Sequence, residues 1–376
     1  MQRRSFCLSG LAAGAAALAR PALGQSATGW PRALTDLLGR RVTLPAAPRA
    51  ILLGEGFQLL SLALIHPDPV SLLVGTGGDL RQADPVMDAA FRRAFPALEQ
   101  VPQPTTTVGQ TLPVETALAL RPDLIILAVW QFDSPEVQQS VTILERAGVP
   151  TLFVDTFQNP LTNTPRSIRL LGQALGREEQ AEAYAVLYDA RVARVRERVA
   201  AAQGIPPAVL LTAFPGRWPC CWAAGEGGAG EYLKALGARN VAGTMLPTPR
   251  GGTLGLEQIL SLSPDVFIGT GLHRPGDEGG LILGSGASPE RAQQSLREVL
   301  RAPELANLAA VKAGRAHGLW NYFSGTPLSF VGLEAMARWV RPELFADLDP
   351  AAALAEANRF TRVAFEGTYW TSLPPG

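Results

Sequence analysis

One phrase occurs twice in this chain, and it limits the fold more than any other feature. Val114-Glu115-Thr116-Ala117-Leu118-Ala119-Leu120-Arg121-Pro122-Asp123 runs into the apolar segment 124–129. Leu256-Glu257-Gln258-Ile259-Leu260-Ser261-Leu262-Ser263-Pro264-Asp265 runs into the apolar segment 266–270. A Pro-Asp pair arises easily by chance; a glutamate at the same offset before it in both halves does not. Two similar lobes related by pseudo-symmetry follow from this. A nearly continuous apolar run suits a strand covered on both faces, as in a parallel sheet.

The rest of the chain fits two such lobes, and 376 residues exceed what one core usually serves. A hairpin is expected over 36–45, with its turn at Leu38-Gly39. Strands at 50–53, 70–74, 124–129 and 151–154 alternate with helices at 57–65 and 136–147, the pattern of an α/β domain. Thr164-Pro165 reads as an N-cap and first helical turn. Residues 177–202 then form a helix about 40 Å long, with Tyr184, Leu187, Tyr188, Val192, Val195 and Val199 on one face. A helix of that length between two α/β blocks is a stiff spine. Beyond it come strands at 209–214 and 266–270 and helices at 230–236, 295–300 and 328–339, with a terminal segment over 350–360. The glycine-rich stretch 271–289 reads as a mobile loop. The expected division is an export signal over 1–27, a lobe over 28–162, a linking helix over 163–203 and a second lobe over 204–376.

Charge narrows the function. Thirty-three cations balance 33 anions, which removes the basic surplus that phosphate neutralisation requires, so nucleic acid is not an expected partner. Arg3-Arg4-Ser5-Phe6 precedes an apolar, Ala-rich stretch to Leu18 and small residues near Pro21-Ala22-Leu23-Gly24, the layout of an export signal of twin-arginine type. Cys7 sits too early for a lipoprotein signal, so no lipid anchor is expected and the mature chain should be soluble in the periplasm.

Each repeated glutamate stands where a short helix begins, and a carboxylate there complements the positive helix end. Two such carboxylates, one per lobe, also form a matched pair of docking points. With these phrases stand Asp36, Gly39-Arg40 and Pro45; Leu170-Leu171-Gly172 with Leu175-Gly176-Arg177; Leu236-Gly237-Ala238-Arg239-Asn240-Val241; Ala310-Val311-Lys312-Ala313-Gly314-Arg315; and Pro342-Glu343-Leu344-Phe345. In that order and spacing the chain resembles the class III periplasmic binding proteins, which capture ferric siderophores, haem and vitamin B12 for ABC importers. The resemblance implies two pseudo-symmetric α/β lobes joined by a single long helix, a ligand cleft between them and slight closure. It also implies that Glu115 and Glu257 pair with arginines of a permease, which works with its ATPase.

Loops after the strands supply candidate ligand contacts. The first lobe offers Glu55, Gly56, Phe57, Arg81, Trp130 and Phe132. The second offers Arg217, Trp218, Cys220, Cys221, Trp222, Arg250, His273, Arg274, Trp320, Asn321, Tyr322 and Phe323. Rings give stacking area and guanidinium forks pair with carboxylates, a combination suited to a bulky, planar or anionic chelate. Any one tryptophan could instead plug a lobe edge; the clustering of Trp218, Trp222, Trp320 and Tyr322 argues against that for all of them. Adjacent Cys220 and Cys221 can form a vicinal disulfide, hold a soft metal or stay as small apolar residues, and an oxidising compartment favours the disulfide. Three histidines, His66, His273 and His317, offer little to a bare metal ion, whereas a ferric ion wrapped by a chelator needs no protein ligand. No cofactor is expected, and the protein should be a monomer. Corrinoid or haem binding is the alternative within the class. An exported hydrolase is the alternative outside it, but the chain lacks Gly-x-Ser-x-Gly and His-Glu-x-x-His, and Gly75-Thr76-Gly77-Gly78 is an incomplete dinucleotide fingerprint.

Overall fold

The computed structural model describes residues 29–373, apart from 108, 219, 220 and 278; the expected export signal therefore lies outside the described residues. Asp36 makes the first local structure. Its carboxylate accepts from the amides of Leu38 and Arg40 and from Arg40 Nε (2.9 Å), closing a turn in which Gly39 takes φ +78°. That turn pairs Arg32–Thr35 with Arg41–Leu44 as the expected hairpin.

Four short parallel strands build the first sheet, in the order Leu73–Gly75, Ile51–Leu53, Leu124–Ala128, Thr151–Val154. All five residues of Leu124–Ala128 are buried, as a strand covered by helices on both faces requires. Residues 70–72, expected as strand, instead belong to a 3-10 turn, Pro69–Leu72, capped by the Asp68 carboxylate. Among the described residues the second sheet has seven strands, one of them the two-residue Arg239–Asn240, which pairs with Ala208–Ala213. Ala208–Ala213, Val266–Gly271 and Ala316–Trp320 run parallel at its centre, flanked by antiparallel Trp222–Ala224 and Gly251–Thr253 on one side and Trp370–Ser372 on the other.

The repeated phrase has a structural cause. Val114–Ala119 and Leu256–Ser261 are both six-residue helices. After each, the aspartate locks its strand to a neighbour. Asp123 accepts from the amides of Arg49 (2.8 Å) and Ala50 (3.0 Å) and donates its own N–H to Ala50 O (2.8 Å). Asp265 accepts from Ala208 N (2.7 Å) and donates to Ala208 O (2.7 Å). The Pro-Asp pair is thus a register lock, used once in each lobe.

Among the described residues no strand crosses between the sheets; the first ends at Val154 and the second begins at Ala208. The crossing is helical. Pro160–Leu175 packs on the first sheet and ends at Gly176 in the left-handed region, and Glu178–Ala201 returns along it as the spine. On the spine Tyr184 donates to Pro327 O (3.0 Å), while Tyr188 donates to Pro160 O (2.8 Å) and lies 2.6 Å from Ser329 Oγ. Thr164 and Pro165 lie inside Pro160–Leu175 and do not start it. The start is organised by buried Asp155, whose carboxylate accepts the amides of Phe157, Gln158 and Asn159. The stretch 271–289 also departs from expectation. Leu281, Ile282 and Leu283 are buried, and Gly284–Ser285 pairs with Gly367–Thr368, so core contacts pin much of it.

Candidate functional site

Loops at the carboxyl ends of both sets of parallel strands meet across one cleft. From the first lobe come Glu55 and Phe57, Asp79, Trp130, and Thr156 with Phe157; from the second come Asn321, Tyr322, Ser324 and Gly325. Together they enclose a cavity of about 200 Å³. A neighbouring cavity of about 330 Å³ lies deeper in the second lobe, walled by Phe157, Phe214, Trp218, Trp222, Tyr232, Trp320 and Tyr322 with Arg250 at its edge. A shallower recess adjoins both, between Trp130, Phe157 and Trp222.

The lobes touch directly around these spaces. The Phe57 and Tyr322 rings stack at 4.4 Å, one from each lobe. Thr156 Oγ1 donates to Gly325 O (3.0 Å), and Gly325 N donates to Thr156 O (2.9 Å). Arg250 reaches Asp133 across the rim at 3.1 Å, a partly exposed pair of small energetic weight.

Two carboxylates line the smaller cavity. Asp79 accepts from Gly56 N (2.5 Å), which ties the loop after Ile51–Leu53 to the helix Asp79–Ala83. Gly56 is needed there, since a Cβ would fall 2.6 Å from Gly77 O. Glu55 accepts from Trp130 Nε1 (3.1 Å). Burial, with the nearby charge of Asp79, pushes the Glu55 carboxyl up to about 8; burial raises Asp79 as well.

Of the residues expected from sequence, Phe57, Trp130, Trp218, Trp222, Arg250, Trp320, Asn321 and Tyr322 line one or both cavities, as does Glu55. Arg81 does not: it is exposed on Asp79–Ala83 and borders neither. Arg217 and Arg274 also stand apart, both held by Asp277. Cys221 is disulfide-bonded and borders only a narrow crevice beside Trp218 and Trp222; Cys220 lies outside the described residues. Phe132 packs edge-on against Phe153, and His273 is bonded to Ser285 O (2.7 Å). Sequence reasoning missed Phe157, which lines all three spaces, and Asp79, Thr156, Tyr232 and Ser324. Phe157 was within reach, since it follows the strand Thr151–Val154 as the other candidates follow theirs.

Among the described residues no histidine or cysteine lines either cavity. Among the described residues no three His, Cys, Asp or Glu side chains gather where they could hold a metal ion. What the walls can do is stack against flat, apolar surface and offer a few hydrogen-bonding groups. Glu115 and Glu257 are far simpler: both are exposed and both lie in the first turn of their helices.

Two sheets joined by helices alone, with the cleft at the strand ends, define a two-lobed binding protein. The chain belongs to the periplasmic binding protein family, whose model matches residues 91–319. Its members are substrate-binding components of ABC importers and act outside the cytoplasm. Similar solved structures include the TroA-like periplasmic binding protein FepB from Veillonella parvula, 24% identical over 92% of this chain and 100% of that one, with a TM-score of 0.82. The molybdate-binding protein MolA of Haemophilus influenzae is 16% identical over 89% of this chain and 99% of its own, with a TM-score of 0.66. A periplasmic haem-binding protein from Pseudomonas aeruginosa is 23% identical over 80% and 94%, with a TM-score of 0.54. Among curated protein sequences no match was found. No helix among the described residues is long and apolar enough to cross a membrane.

Proposed function

We propose that this protein captures a ferric siderophore or related metal chelate as a monomer, catalyses no reaction, and delivers its ligand to the permease by docking through Glu115 and Glu257. The supporting observation is the cleft wall, in which Phe57, Trp130 and Phe157 of one lobe face Trp222, Trp320 and Tyr322 of the other. Such walls suit a bulky ligand whose metal is already wrapped and which asks for stacking area. Only Arg250 of the expected arginines lines a cavity, so recognition rests on rings more than on guanidinium forks. Native mass spectrometry of the protein isolated from its own host tests the reading. The expected result is a retained mass carrying the iron isotope pattern. A retained haem or corrinoid would favour the alternative ligands, and a metal-free organic solute would overturn the chelate.

A further inference from the structure

The smaller cavity carries more information about the ligand than its rings alone. Glu55 and Asp79 both line it, while among the described residues no arginine or lysine does. Among the described residues Glu55 receives one hydrogen bond to its side chain, from Trp130, which leaves its second carboxylate oxygen without a protein partner. Glu55 is half-buried and Asp79 buried, and two like charges brought together there are unfavourable unless protonated or met by a cation. An independent sign of a missing partner comes from the opposite wall. Ser324 is 7% exposed, its Oγ is buried with no hydrogen bond, and it lines both cavities. Around these groups stand Phe57, Trp130 and Tyr322, whose faces attract positive charge.

We propose that this cavity is a cation subsite, which takes a protonated amine or similar positively charged group carried on the captured chelate. The subsite rests on the capture reading for its physiological ligand, but its charge preference can be measured without a chelate. Glu55 faces Asp79 and Tyr322; Arg274, whose charge acts on Tyr322, is already held by Asp277 at 2.6 Å. An entering cation therefore draws the proton off Glu55. Its affinity should rise with pH until the carboxyl, displaced to about 8, is ionised in the free protein.

Choline and its uncharged carbon isostere, with tert-butyl in place of trimethylammonium, are suitable probes for calorimetric titration. Choline should bind at least about tenfold tighter, a difference of about 1.4 kcal/mol. Its affinity should climb between about pH 6 and pH 8 and then level off, while the isostere shows no slope. Glu55→Gln and Asp79→Asn should each erase the preference. Equal binding of the two probes to the unaltered protein, or a preference that survives Glu55→Gln, would overturn the subsite. A parallel titration compares a ferric trihydroxamate bearing a free amine with its N-acetylated form. If both chelates bind equally and choline is not preferred, the subsite fails and capture stands. If choline is preferred and neither chelate binds, capture of such a chelate fails and the subsite stands.

Discussion

At the scale of single residues, half-buried Glu55 and buried His317 set opposite pH limits on stability. The Glu55 carboxyl is raised from 4.5 to about 8, so its contribution is fully present below 4.5 and is lost as pH rises through 8. His317 is lowered from 6.5 to about 3, chiefly by burial; it stacks on Trp339 at 4.6 Å and bonds to Ser372 Oγ. Its contribution is present above 6.5 and disappears as pH falls towards 3. The two slopes offset between about pH 4.5 and pH 6.5, so urea midpoints of the ligand-free protein should fall above that window and below it. Glu55→Gln should flatten the alkaline side by up to about 4 kcal/mol between about pH 5 and pH 8. His317→Gln should flatten the acid side whatever its overall cost. A Glu55→Gln profile parallel to that of the unaltered protein would show that the carboxyl is not displaced.

At the scale of elements, the repeated phrase performs two tasks that separate cleanly. Its aspartates are register locks, and losing one leaves backbone amides unpaired at a strand start. Asp123→Ala and Asp265→Ala should each cost about 1–3 kcal/mol in urea unfolding, and the double change should be close to additive because the locks lie in different lobes. Strong non-additivity would mean that the two strand starts are coupled. The glutamates touch no neighbour in this way. Beside each stands an apolar residue three positions on, Leu118 and Leu260, exposed by 36% and 49%, whereas the residues between, Ala117 and Ile259, are fully buried. Glu115→Ala with Glu257→Ala should leave ligand affinity within about twofold and sharply reduce uptake through the permease, since such charges govern encounter and register. Normal transport by the double variant would leave the glutamates as helix-start residues alone.

At the scale of the molecule, helices and short cross-cleft contacts hold the lobes. The spine buries Tyr184, Tyr188, Val192 and Val195 against neighbouring elements, and the Thr156–Gly325 bond pair stitches the cleft loops. A bend here would have to break a packed helix surface, so closure on ligand should be slight. Small-angle scattering, with and without the ligand identified by native mass spectrometry, should show a radius of gyration changed by less than about 1 Å. A larger contraction would place a hinge in the helical pair.

The sequence by itself determined the two lobes, their sheets and the spine, because those follow from local periodicity and from a phrase repeated in register. It also named most of the cleft aromatics, since a loop after a parallel strand must lead to the sheet's carboxyl edge. Other decisions belonged to the tertiary structure. Thr164-Pro165 reads locally as a helix start, but the Asp155 carboxylate begins that helix five residues earlier through contacts across the loop. Glycines at 271–289 suggest mobility, yet burial of Leu281 and Leu283 fixes their surroundings. Arg81, Arg217 and Arg274 have the chemistry for an anion, but exposure removes the first and Asp277 neutralises the others. Above all, Glu55 and Asp79 lie 24 positions apart in the chain and share a cavity only because two parallel strands set their loops side by side, Gly56 against Gly77. Local pattern records which way a segment folds; which charges come to face one another depends on how the segments pack.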